Sequence, residues 1–138
     1  MPLLLSPDAR ATAGVLLLTL VAVESGGWFM LRLVRGHRPS TEFQKAFFRA
    51  GHAHAGVLVI LSLVAQLLAG PAALNGVTAL LSNGIWVAAI LMPAGFFLSA
   101  AGRDRTEPNQ LIVLVYAGVV ALGLGVLSLG LGLLGVPA

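Results

Sequence analysis

Cysteine is absent from this chain, which excludes disulfides, thiolate metal sites and thiol nucleophiles. Charge is scarce as well. Asp, Glu, Lys and Arg supply 9% of the 138 residues, against roughly a quarter in a soluble domain. A chain with so few ionic groups has too little polar surface to face water, and the solvent it implies is lipid. The amino terminus also lacks the features of a secretory signal: Arg10 is the first basic side chain, and the run Val15 to Val23 ends in Glu24-Ser25 instead of a small-x-small cleavage site. That run reads as part of a retained helix.

What the sequence has is apolar length, with 58% of its residues hydrophobic. Four segments stand out, at about 11–34, 41–69 (apolar from residue 50), 77–101 and 110–134. Each is long enough for a ~30 Å hydrocarbon core at 1.5 Å per residue. Inside lipid a crossing segment must satisfy its own backbone hydrogen bonds, so these segments are expected to be helices. The fold class expected is all-α, a single-domain antiparallel four-helix transmembrane bundle with no room for a soluble domain. Gly36 to Ser40 reads as a turn, with Ser40 or Thr41 capping the next helix and no clean capping box after Thr41. Gly70-Pro71 ends the second segment, Gly102 to Pro108 is a polar loop leading to a helix start at Asn109, and Gly135-Val136-Pro137 ends the chain.

Five of the eight basic residues fall between Arg32 and Arg49, and the third loop adds Arg103 and Arg105. The second loop, about 70–76, carries no charge. This bias speaks to topology and not to nucleic acid. Positive-inside reasoning puts loops one and three in the cytoplasm and both termini outside.

Glu24 is the residue that most invites a role, because it lies near the middle of the first span. A carboxyl group at that depth is costly and is expected to face the bundle interior and pair. His52 and His54 lie 11 and 13 residues after Thr41, and Glu24 lies 11 before Arg35. All three therefore sit within about one helical turn of the same level. A Glu24–histidine site follows as an expectation, beside the plainer reading that each group hydrogen-bonds a neighbouring helix. Two residues apart on a helix is about 200° of rotation, so at most one histidine faces Glu24. Gly51 and Gly56 favour His52 for the inner face. The pair is a weak metal signature, since helical ligands recur at i,i+3 or i,i+4. Haem needs a second histidine from another helix or subunit, or a single axial ligand. Proton handling, a transition metal and haem are the chemistries open to this level; His37 is placed in a turn, in solvent.

The fourth segment carries a small-residue stripe: Ala117, Ala121, Gly125, Ser128 and Gly132 at spacings of four and three, with Gly118, Gly125 and Gly132 repeating at seven. Such stripes allow close helix approach, either within the bundle or against another copy or a larger complex. Pro93 predicts a kink in the third segment. Asn83, Gln66 and Tyr116 are expected to hydrogen-bond between helices.

The stretches Phe48–Leu58 (FRAGHAHAGVL), Leu91–Ser99 (LMPAGFFLS) and Asn109–Gly118 (NQLIVLVYAG) resemble a group of small bacterial four-helix membrane proteins of unassigned activity. The resemblance covers most of the chain. It implies the four-span fold and a bacterial inner membrane, and it carries no reaction and no site roles. With no complete catalytic set visible, the expectation is a non-enzymatic membrane component or accessory subunit. The alternative is a small transporter, proton relay or haem- or metal-binding redox protein using Glu24 with His52 or His54.

Overall fold

The computed structural model describes residues 6–70, 72 and 74–135. Its regular elements are helices: α1 (Pro7–Val34), α2 (Glu42–Ala69), α3 (Gly76–Ser82), α4 (Gly84–Ser99) and α5 (Val113–Leu134), the last entered through a single 3-10 turn over Gln110–Ile112. Because α3 and α4 share one crossing, there are four spans of 24 to 28 residues. The shortest reaches about 36 Å, more than the hydrocarbon core requires. The chain is an all-α four-helix membrane bundle and a multi-pass membrane protein.

Local chemistry sets the helix ends. Ser6 accepts a hydrogen bond from the Ala9 amide and Pro7 opens α1, so this helix starts four residues before the apolar run suggests. Thr41 and Gln44 form a full capping box, contrary to expectation: Thr41 Oγ1 accepts from the Gln44 amide, and Gln44 Oε1 accepts from the Thr41 amide, both at 3.1 Å. Gln serves here as well as Glu, which is the point the sequence reading missed. Asn75 caps α3, and Asn109 caps the 3-10 turn by accepting from Leu111. Gly70 and Gly135 stand at the ends of α2 and α5; Pro71, Val136 and Pro137 lie outside the described residues.

The third span is interrupted ten residues before its proline. α4 runs unbroken through the buried Pro93, and the interruption falls at Asn83. Asn83 Oδ1 accepts from Trp86 Nε1 at 3.0 Å, inside its own span. The break lies beside a very close helix approach: a Cβ on Gly84 would stand 2.2 Å from the Ala121 carbonyl oxygen of α5.

Packing runs α1 on α2, α2 on α4, and α3 and α4 on α5. The small-residue stripe is used inside the bundle. Gly125 closes on Ile85 and Gly84, Gly132 on Thr78 and Leu74, and Ser128 donates to the Thr78 carbonyl at 3.4 Å. Ala121 receives Gly84, whereas Ala117 faces outward and Gly118 takes its place against Met92. Tyr116 also points outward, at 64% exposure, so it joins no neighbouring helix. Gln66 makes no side-chain hydrogen bond among the described residues.

Candidate functional site

All six phenylalanines gather at the end of the bundle that carries loops one and three. Phe29 meets Phe48 edge-on at 5.4 Å, Phe48 stacks with Phe97 at 5.7 Å, and Phe47 meets both Phe43 and Phe96. Gly51 makes this possible: a Cβ there would lie 2.9 Å from the Phe97 ring. The Arg38 guanidinium sits 5.2 Å over Phe29 and ties loop one to the cluster.

A polar clamp lies beside the rings. The buried Gln44 amide donates to the Ala100 carbonyl at 3.0 Å and to the Gly102 carbonyl at 2.9 Å. Thr41 donates to the Arg105 carbonyl, and Asn109 Nδ2 donates to the Leu98 carbonyl at 3.0 Å. These bonds fasten the third loop to the start of α2 and satisfy carbonyls left open at the end of α4. Nothing in sequence spacing pairs Gln44 with residues more than fifty positions away.

The two histidines take opposite sides of α2. His54 Nδ1 lies 2.7 Å from the Ala50 carbonyl, four residues back, and its ring lies 5.0 Å from Phe96 of α4. A carbonyl only accepts, so Nδ1 carries the proton, and the ring is locked into packing. His52 turns toward α1. Its ring fits a notch made by two glycines: a Cβ on Gly26 would lie 3.2 Å from Nδ1, and one on Gly27 3.6 Å from Nε2. No side-chain hydrogen bond engages His52 among the described residues.

His52 closes one end of a slot of about 530 Å³ between α1, α2 and α4. The α1 wall runs from Ala11 to Gly26; Val59, Trp86, Ala89 and Ile90 supply much of the opposite side. Ile90 is 60% exposed, so the slot opens sideways to the bilayer. Thr19, on the α1 wall, donates its hydroxyl proton to the Leu16 carbonyl. Thr12 lies at the far end of the slot beside Ala11, and the imidazole is the polar group at the Gly26 end.

Glu24 does not enter this slot. It is exposed on α1 and borders a separate shallow hollow with Val21, Ser25, Gly27, Trp28 and Leu31. The expected Glu24–His52 pair is therefore not assembled. The two groups match in depth but not in direction: at 100° per residue, Glu24 lies about 160° around α1 from Gly26 and about 60° from Gly27, the two glycines against the His52 ring, and its own side is exposed. His37 is exposed in the loop after α1. Among the described residues no three His, Asp or Glu side chains stand close enough to hold a metal ion. The two α2 histidines, on opposite faces, are not placed to bind one metal or one haem together. Glu42, at the start of α2, pairs with Lys45 at 2.8 Å.

Comparison with protein-family models, curated proteins and solved structures finds no match to this chain.

Proposed function

We propose that the protein is a non-enzymatic component of the bacterial inner membrane that works by associating with another membrane helix, from a second copy or a larger complex, across the outer face of α1. Glu24 carries this reading. It sits eight residues, or about 12 Å, before Arg32 on a lipid-length helix, yet it is exposed and lacks a hydrogen-bond partner among the described residues. An acid facing hydrocarbon at that depth is costly until another protein group covers it. Trp28, one turn away and 64% exposed, adds an indole N–H to the same face. The charge bias of the loops supports an orientation with loops one and three in the cytoplasm and both termini outside.

The cysteine-free chain suits a direct test. Single cysteines at Val21, Ser25 and Trp28 are expected to form disulfide-linked species in native membranes under mild oxidation. Cysteines at Val57 of α2 and Val120 of α5, equally lipid-facing, are expected to stay unlinked. A ladder that is the same at all five positions, or none at the α1 sites, together with an unchanged assembly state for Glu24→Leu, refutes the reading.

A further inference from the structure

The slot beside His52 lies on the far side of α1 from the Glu24 face and has no part in the association proposed above. Three of its features describe an occupant. The first is shape: from Gly26 to Ala11 the α1 wall covers fifteen residue steps, about 22 Å along the helix, so the space is long, narrow and roughly parallel to the spans. The second is access, since the opening past Ile90 faces lipid and not water. The third is chemistry. The lining is apolar apart from two threonine hydroxyls, of which Thr19 is bonded within its own helix and Thr12 lies at the far end near Ala11, and one imidazole whose nitrogens make no side-chain hydrogen bond among the described residues. A polar group left unpaired in an apolar setting is costly. Hydrocarbon tails of bulk lipid fill the shape but leave the imidazole unpaired. The volume falls within the usual range for a small-molecule site, roughly 300–1,000 Å³.

We propose that this slot binds a single-chain lipophile whose head carries a hydrogen-bonding oxygen, the chain lying along α1 against Val15, Val59 and Ala89 and the oxygen meeting His52. A membrane quinone and a free acyl lipid both have this chemistry. The notch at Gly26 and Gly27 sets the ring at the end of the slot nearer the basic loops, and the tail runs from there past the middle of α1 toward Ala11, near the opposite end of that helix.

Trp86 lines the slot, and Trp28, the only other tryptophan, lies on the far face of α1. Trp28→Phe therefore leaves one reporter inside the slot. The purified full chain in detergent would be titrated separately with a decyl-substituted benzoquinone and with a dibrominated stearic acid, both quenchers of indole fluorescence. Saturable quenching by at least one probe is expected, and the probe that saturates identifies the source. His52→Leu should weaken that binding by roughly tenfold, the loss of one hydrogen bond, and His52→Gln should recover part of it. Ala22→Phe, a bulky ring on an exposed slot-lining position of α1, should abolish saturation; Thr19→Phe serves if that variant loses helicity or monodispersity. Quenching that rises only linearly with both probes, or saturation indifferent to both His52→Leu and the blocking ring, overturns the proposal.

Discussion

Gln44 shows how much one side chain can hold together. Its amide bonds two carbonyls of the third loop while its oxygen caps its own helix. Gln44→Ala would leave those carbonyls and the Thr41 amide without their partner, at about 1–3 kcal/mol for each group that stays unsatisfied. A marked drop in unfolding temperature in detergent is the expected result, with Gln44→Glu failing to restore it because a carboxylate cannot donate to carbonyls. His54→Phe offers a contrast. The ring already packs on Phe96, and its one hydrogen bond is to a carbonyl within the same helix; the variant is expected to keep fold and ligand binding, checked in the same melt and quenching titration. Residue depth was legible in the sequence, because depth depends only on counting along a helix. Azimuth was not: Glu24 and His52 share a level but face different surroundings, and the Gly26-Gly27 notch that decides this is visible only once α1 is laid against α2.

Among the elements, α5 depends on contacts where a hydrogen atom is the largest side chain that fits. A Cβ on Gly95 would stand 2.6 Å from the Val115 backbone nitrogen, and one on Gly125 would stand 2.7 Å from that of Ile85. These neighbours are backbone and cannot rotate away. Gly95→Ala and Gly125→Ala are expected to push the third and fourth spans apart and lower stability, read as earlier unfolding in a denaturant series. Gly123→Ala and Gly130→Ala on the opposite side of α5 meet nothing within 4 Å and are expected to be neutral or to stabilise by roughly 0.5–1 kcal/mol through helix propensity. The stripe of small residues announced a close approach from sequence alone, with Ala121, Gly125, Ser128 and Gly132 on it. It did not say against which helix, and of its two opening positions, Ala117 and Gly118, only Gly118 makes the contact. The interruption at Asn83 was not legible for a related reason: it lies where Gly84 meets Ala121 of another span.

At the scale of the molecule, the distribution of charge sets its posture in the bilayer. Seven of the eight Lys and Arg residues lie at the end that holds loops one and three. Single cysteines at His37 and Thr106 are expected to react with an impermeant maleimide only after cells are opened. A cysteine at Gly76, the first residue of α3 beside the uncharged second loop, is expected to react in intact spheroplasts. The reverse pattern would invert the orientation. The four-span architecture was the most legible feature of all, because apolar runs of this length admit few alternatives once the backbone must bond to itself. The clamp and the phenylalanine cluster were invisible by comparison, since the Gln44 and Thr41 bonds of the clamp pair residues 56 to 64 positions apart and the cluster joins Phe47 and Phe48 of α2 to Phe96 and Phe97 of α4.

That concentration of rings and clamps at one pole leaves the bundle unequal from end to end. At one pole, α2 and α4 are riveted by stacked aromatics and by hydrogen bonds across the third loop. Toward the other, α1 stands off from α4 along the slot, with its outward flank bare. Thermal motion should therefore be graded along the membrane normal, with the first helix swinging like a door from a hinge near Phe29. Backbone amides near Leu17 and Leu18 would then exchange with deuterium sooner than those near Met30 and Leu33.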